Sequence, residues 1–187
     1  MPSPKIALTS PHKRPVDINA AFDVLFAYEG FRSKPYKDSK GKWTIGVGHL
    51  IGDGSDKAYK KSPFYNKTLS KDAAIKLAKT ELSDRLPKIV SLIGNRFFDM
   101  QPNTQNQLIA SFYRGGITGS PKTLKLIREG KFQEAGDEFL NHDEYRDAVK
   151  SGSGVAGRMD NVSVALKSEE KSKDITFEES VEQRLIQ

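Results

Sequence analysis

The stretch from residue 31 to residue 48 differs in local pattern from the rest of the chain, and this difference most constrains the fold. Pro35 and the turn of residues 38–41 favour short antiparallel strands over a helix. Strand-forming side chains follow at Trp43, Thr44, Ile45 and Val47. Because helical patterns lie on both sides, we predict an α+β fold with a small hairpin-bearing lobe, a larger helical lobe and a cleft between them.

The helical pattern before this stretch ends in a carboxylate. Asp17 is a suitable N-cap, and Gly30 is a typical helix end. Between them, one face of the predicted helix carries Ile18, Phe22, Leu25, Phe26 and Glu29. A carboxylate on an apolar face is either a catalytic group or a buried salt-bridge partner, and the spacing alone does not decide between these two interpretations.

The rest of the chain is predicted to be mainly helical. Residues 50–69 are polar and rich in glycine and lysine, which predicts a surface loop. Helical patterns run from Ser70 to Leu166, with Pro87 marking a kink or break. Within the hairpin, Gly46 and Gly48 indicate close backbone packing or access for a ligand.

The chain is predicted to have one domain with an extension at each end. Residues 17–167 hold the periodic pattern, and the proline-rich residues 1–16 predict an N-terminal arm. Residues 168–187 carry six acids and three bases, which predicts an acidic tail or an amphipathic helix that needs a partner. No apolar run suits a signal peptide or a membrane span, so we expect the protein to stay in the cytoplasm where it is made unless other machinery moves it.

Composition argues against several classes of function. The chain has no cysteine and three scattered histidines, so we expect neither a metal site nor a cofactor. Its net charge of +6 favours an anionic partner. The basic residues are spread along the chain and do not form a stripe with aromatic residues, so we do not expect nucleic acid as the partner.

Carboxylate chemistry is what remains after serine, cysteine and phosphate-binding motifs are excluded. Glycoside hydrolysis needs a proton donor and a second carboxylate on the other side of the sugar ring. Glu29 fits the donor, since its helical face is apolar and burial keeps a carboxyl protonated. Asp38, in a polar turn beside Lys37 and Lys40, fits the ionised partner. Thr44 supplies a hydroxyl that could fix a water.

The residues around these groups resemble the phage-type lysozyme (muramidase) family of tailed-phage endolysins. The resemblance is carried by Glu29-Gly30, Tyr36-x-Asp38, Gly41 and Thr44-Ile45-Gly46-x-Gly48-His49, and it extends more loosely over residues 18–167. Ser70 to Ala73, Phe112-x-x-Gly115, Thr123-Leu124 and Gly157-Arg158 are similar to later parts of the family pattern. Residues 50–69 do not align with it, and Tyr113 and Arg114 depart from it.

The resemblance implies a lysozyme-like fold and cleavage of the β-1,4 bond between N-acetylmuramic acid and N-acetylglucosamine in bacterial peptidoglycan. Glu29 would be the general acid, and Asp38 with Thr44 would hold the attacking water in an inverting mechanism. In the family, the equivalents of Leu50 and Phe112 line the saccharide groove. His49 would support the hairpin by pairing with a carboxylate there.

Two biological roles stay open at this point. A free endolysin would act from the host cytoplasm and reach the wall through a separate pore protein. A virion (tail) protein would be carried to the wall, with the arm or the tail contacting other phage proteins. There the lysozyme fold would open the wall at infection or would serve mainly as a structural docking module. The alternative chemistry is that of a lytic transglycosylase, which needs one acid and no positioned water; Asp38 and Thr44 argue against it.

Overall fold

The computed structural model describes residues 15–38 and 40–185, with side chains as far as Glu169. Helix α1 (Ile18–Glu29) is followed by strands β1 (Arg32–Lys37), β2 (Trp43–Gly46) and β3 (His49–Leu50). The helices that follow are α2 (Asp56–Lys61), α3 (Lys71–Ile93), α4 (Pro102–Tyr113), α5 (Pro121–Glu129), α6 (Phe132–Leu140), α7 (Asp143–Ser151) and α8 (Gly154–Leu185), with 3₁₀ turns at Asn95–Asp99 and Ile117–Gly119. The prediction of a mainly helical, lysozyme-like α+β fold is confirmed.

Helix α1 begins and ends where the sequence predicts. The Asp17 carboxylate accepts hydrogen bonds from the Asn19 and Ala20 amides at 2.8 and 3.1 Å, and so caps the first turn. Gly30 ends the helix with a φ of 64°. The predicted N-terminal arm of residues 1–16 lies outside the described residues except for its last two.

The three strands form one antiparallel sheet in the order β1-β2-β3. Thr44 in the central strand pairs with Tyr36 on one side and Leu50 on the other. Gly46 has a φ of +68°, and a Cβ there would lie 3.1 Å from the Ala74 Cβ on α3. Close packing against α3 therefore explains the glycine, as one of the two interpretations of the sequence predicted.

The prediction that residues 50–69 form only a polar surface loop was wrong. The segment contains α2, and Ile51 and Tyr59 within it are buried. These two side chains pack with Ile45 in a second, small core, where the Trp43 ring stacks on Tyr59 at a centroid distance of 4.0 Å. The apolar residues of this segment are too few and too widely spaced to give a periodic signal, and they become a core only through contact with the hairpin.

Helix α3 connects the two lobes and is not broken at Pro87, contrary to one of the predicted outcomes. Proline removes the hydrogen bond that the Ser83 carbonyl would accept, but both residues are exposed, so water can take that place. Near its start, α3 packs on the hairpin at Ala74. Further along, its buried face, including Leu82 and Ile89, enters the main core of the helical lobe.

Helix α8 extends beyond residue 167, where the sequence places the end of the domain. Glu169 is only 3% exposed, and its Oε1 accepts a hydrogen bond from the Gln101 amide at 2.7 Å, at the start of α4. The backbone of α8 remains helical to Leu185. Side chains beyond Glu169, and residues 186–187, lie outside the described part. Among the described helices, none is long and apolar enough to cross a membrane.

A cluster of polar side chains ties the hairpin to α3 and α4. The His49 Nδ1 lies 3.0 Å from Oε1 of Glu81 on α3. The Tyr113 hydroxyl, at the end of α4, donates to Glu81 Oε2 at 2.7 Å and lies 3.1 Å from the Val47 carbonyl. His49 thus has a carboxylate partner, as the resemblance implied, although that partner lies on α3 and not on the hairpin. Its supporting role stays a prediction.

The contacts within this cluster favour an ionised Glu81 and a neutral Tyr113. Burial alone would raise the pKa of Glu81, but the hydrogen bonds from His49 and Tyr113 outweigh it, and the pKa is lowered from its ordinary value. Burial and the neighbouring Glu81 carboxylate raise the pKa of Tyr113. The ionised Glu81 with a neutral Tyr113 is therefore the form that joins the two lobes.

Replacement of Gly46 tests the close contact between the hairpin and α3. Gly46→Ala is expected to lower the free energy of unfolding by about 1–3 kcal/mol more than Gly41→Ala, because both positions have a positive φ but only Gly46 faces Ala74. At Gly41 a Cβ would meet no atom within 4 Å, so that variant measures the backbone term alone. Urea denaturation of both variants gives the comparison. Equal losses would contradict the packing argument.

Replacement of Glu81 tests the polar cluster through its pH dependence. Because the folded-state pKa lies below 4.5, the stabilisation is present above about pH 4.5 and is lost as pH falls through the folded pKa. Glu81→Gln should cost about 1–3 kcal/mol at pH 7 and should lose less stability than the wild type between pH 7 and pH 3. Asp84→Asn, exposed on the same helix, is the matched control. Parallel pH profiles for wild type and Glu81→Gln would rule out this role.

Candidate active site

Glu29, the last residue of α1, is held by two arginines. Its side chain is 7% exposed. The Arg158 Nη1 donates to Glu29 Oε1 at 3.1 Å, and the Arg114 Nη1 donates to the same oxygen. The sequence predicted apolar surroundings for this carboxyl group; the structure instead surrounds it with guanidinium groups, because α4 and α8 both reach the end of α1. The contacts of Glu29 in this structure are therefore those of a buried salt-bridge partner, the other interpretation that the sequence left open.

The two arginines are positioned by different elements. Arg114 is the C-cap residue of α4, whereas Arg158 lies in the second turn of α8. Arg158 packs over the Tyr28 ring at 6.0 Å, and the Tyr28 hydroxyl accepts from Asn161 Nδ2 at 2.7 Å and donates to Gln107 Oε1 at 3.2 Å. Burial lowers the pKa of Arg158, and the nearby positive charge of Arg114 lowers it further.

Asp38 follows β1 and is held by the backbone of the turn. Its Oδ1 accepts hydrogen bonds from the amides of Lys40 and Lys42 at 2.9 and 2.8 Å. The side chain of Lys37, which the sequence places beside it, instead pairs with Asp56 at 3.1 Å. Two amides of the turn, and not the Lys37 side chain, therefore fix the orientation of the Asp38 carboxylate.

Thr44 lies beside this turn in the central strand. The residue is 5% exposed, and its hydroxyl donates to the Lys42 carbonyl at 3.2 Å. A hydroxyl has one proton to donate and two lone pairs that accept, so this bond leaves Thr44 able to accept a hydrogen bond from a water. The turn residue Lys42 is bonded to both Asp38 and Thr44, so these two side chains share one backbone support.

Glu29 also lies against the hairpin. A Cβ at Gly48 would come within 3.3 Å of Glu29 Oε2, so the glycine makes room for the carboxylate. Tyr36, which pairs with Thr44, responds to both acids: burial raises its pKa, the negative charge of Glu29 raises it further, and Asp38 adds a smaller effect in the same direction. The three predicted catalytic side chains are therefore grouped around one small hairpin.

A cavity of about 170 Å³ lies next to the arginines. Arg114 and Arg158 line it together with Lys40 of the hairpin turn, over apolar side chains that include Phe139 and Met159. Glu29, Asp38, Thr44, Leu50 and Phe112 are not among its lining residues in the described part of the chain. The cavity thus lies beside the two arginines that hold the acid, on the side of the helical lobe.

The predicted substrate-binding residues occupy different environments. Leu50 is 43% exposed and pairs with Thr44, so its side chain is available to a ligand beside the proposed water site. Phe112 is only 6% exposed and belongs to the main core, so a saccharide could touch little of its ring. Both roles stay predictions. Among the described residues, no group of three His, Asp or Glu side chains could hold a metal ion.

Sequence reasoning missed the partners that organise these groups. Arg158 stood out only through the resemblance, and Arg114 only as a departure from it. Glu81 was not singled out, although it follows Ala78 by three residues on the buried side of α3, where an acid is unusual. Spacing on α3 was the one local signal for Glu81; nothing near Glu29 in the chain points to either arginine.

Comparison with known proteins agrees with this geometry. The sequence model of the family described as "Phage lysozyme" matches residues 27–159, which include Glu29, Asp38, Thr44, Arg114 and Arg158. The chain is also 29% identical over 146 residues to a protein named "Probable T4-type lysozyme 2" of Dictyostelium discoideum, across 66% of this chain and 84% of the relative. The chain belongs to the phage lysozyme family, which at family level makes it a muramidase-like peptidoglycan hydrolase.

Proposed function

We propose that this protein is a muramidase that cleaves the β-1,4 bond between N-acetylmuramic acid and N-acetylglucosamine with inversion at the anomeric carbon. The observation that carries the proposal is the grouping of Glu29, Asp38 and Thr44 around one hairpin: a buried acid lies against Gly48 of the hairpin, and the backbone of the same hairpin fixes a carboxylate and a hydroxyl. Inverting hydrolysis requires a proton donor and a base that are separated by enough space for a water.

Glu29 is the proton donor in this mechanism. As the bond between the anomeric carbon and the glycosidic oxygen breaks, the leaving oxygen takes the proton of the Glu29 carboxyl group. The carboxylate left behind is then stabilised by the Arg158 guanidinium, which already lies 3.1 Å from Oε1. Its position against Gly48 keeps the carboxyl group at the edge of the hairpin.

Asp38 and Thr44 position the nucleophile. A water that donates one hydrogen bond to each of them keeps a lone pair free to attack the anomeric carbon. Asp38 accepts the proton that the water loses as the new carbon–oxygen bond forms, so protons balance over the reaction. Because two amides fix Asp38 and the strand fixes Thr44, little reorganisation is needed when the sugar binds.

The biological setting we propose is lysis of a bacterial wall by a phage. The net charge of +6 suits an anionic envelope and speeds encounter with it. Either a free endolysin released through a separate pore protein or a virion-carried lysozyme fits this chemistry. Contacts with other phage proteins through the predicted arm or tail belong to the second case, and mass spectrometry of washed virions distinguishes the two.

Substitution of the acid tests the assignment of Glu29. Glu29→Gln keeps the size of the side chain and removes the transferable proton, so clearing of a peptidoglycan suspension should slow by at least about 100-fold. Glu134→Gln, exposed on α6, removes one carboxylate elsewhere and should clear at the wild-type rate. The muramidase proposal fails if Glu29→Gln, folded by circular dichroism, clears as fast as the wild type.

The stereochemistry of the product tests the roles of Asp38 and Thr44. Proton NMR during the first turnovers should show the α-anomer of the new reducing end, and Asp38→Asn should abolish its formation. Thr44→Ala should reduce the rate by a smaller factor, because Asp38 still holds the water by one hydrogen bond. An initial β-anomer would exclude inversion. Products with 1,6-anhydro ends would instead indicate a lytic transglycosylase.

A further inference from the structure

The two arginines on Glu29 are not equivalent. The Arg158 side chain is 20% exposed and packs over the Tyr28 ring, whose hydroxyl accepts a hydrogen bond from Asn161 on α8. The Arg114 side chain is 40% exposed and extends from the residue just beyond α4. Arg158 is therefore part of the folded frame, whereas the Arg114 guanidinium reaches solvent and can leave Glu29 when another anion takes the place of that partner.

The pair of arginines also gives the site more positive charge than Glu29 neutralises. Two guanidinium groups share one carboxyl oxygen, so a single acid cannot balance both charges. Burial lowers the pKa of Arg158, the positive charge of Arg114 lowers it further, and the Glu144 carboxylate beside the cavity offsets only part of these effects. Since both arginines line the cavity, the excess charge faces a space that an anionic group can enter.

Peptidoglycan carries suitable anions on its peptides. Apart from the lactyl link, its sugar backbone is built from neutral units, and the free carboxylates belong to the stem peptides. A guanidinium binds a carboxylate through two parallel hydrogen bonds, so Arg114 can exchange Glu29 for a peptide carboxylate of equal charge. This exchange relieves the repulsion between the two arginines and keeps both guanidinium groups paired.

We propose that Arg114 is a specificity-determining residue that leaves Glu29 for a carboxylate of the substrate's stem peptide. The inference rests on the proposed muramidase function and adds a substrate requirement to it. With Arg114 withdrawn, one guanidinium remains on the proton-donating group. A glycan whose stem peptides carry no free carboxylate offers Arg114 no new partner, so Arg114 stays on Glu29 and competes with the glycosidic oxygen for Oε1.

The test compares two substrates with the same glycan. One is peptidoglycan with intact stem peptides, and the other is the same material after carbodiimide coupling with excess ammonia has converted the carboxylates of the stem peptides to neutral amides, which leaves the glycan stripped of these charges. The variants are Arg114→Gln, which removes the charge, and Arg114→Lys, which keeps the charge but loses the paired hydrogen bonds. Lys125→Gln, with a side chain 70% exposed on α5, is the control for losing one positive charge in the helical lobe.

The expected readout is the ratio of kcat/KM for intact over stripped glycan. Wild type and Lys125→Gln should share a high ratio. In Arg114→Gln the ratio should fall by roughly 5- to 150-fold, a typical range for coupling between two interactions, with part of the fall coming from a higher kcat on stripped glycan. Arg114→Lys should give an intermediate ratio, which a merely structural role for Arg114 does not predict.

Two results would overturn the inference while leaving the muramidase function intact. One is an unchanged ratio in Arg114→Gln and Arg114→Lys. The other is an equal loss of activity on both substrates by variants whose melting temperature matches the wild type. If Arg114→Gln does not fold, the ratio measured for Arg114→Lys decides alone. Wild-type protein that cleaves neither substrate would instead refute the proposed function itself.

Discussion

The structure is organised around one buried acid, the carboxyl group of Glu29. Burial of a carboxylate is costly unless charged or polar partners surround it, and here α4 and α8 supply an arginine each. These contacts bring the ends of three helices to one point beside the hairpin. The proton donor of the proposed reaction is thus also the residue at which the helical lobe meets the sheet.

Local features of the fold were predictable, whereas the partners of the acid were not. Asp17, Gly30 and the helix start at Ser70 follow from rules that act over a few residues. Arg114 and Arg158 meet Glu29 across 85 and 129 residues of chain, and no local pattern encodes such a contact. The resemblance pointed to the residues proposed as catalytic, but it did not show that charged groups surround the acid.

The same limit explains the errors in detail. The small core under the hairpin was not predicted, because its apolar side chains are isolated among polar residues in the sequence. They form a core only where Trp43 and the rest of the hairpin pack against them. Pro87 stays inside α3 because the carbonyl that loses its partner faces water. In both cases the outcome depends on the tertiary structure. Contact with another element decides whether the small core forms, and access to solvent decides whether the helix tolerates Pro87.

Helices α4 and α8 are joined at both ends of α4 by carboxylates. Glu169 of α8 accepts from the amide at the start of α4, and Glu29 joins Arg114 at its end to Arg158 of α8. The start of α4 is held by a buried side chain, whereas its end is held through Arg114, whose side chain is 40% exposed. Release of Arg114 from Glu29 would therefore free only the end of α4 that lies beside the acid, while the start of the helix stays attached to α8.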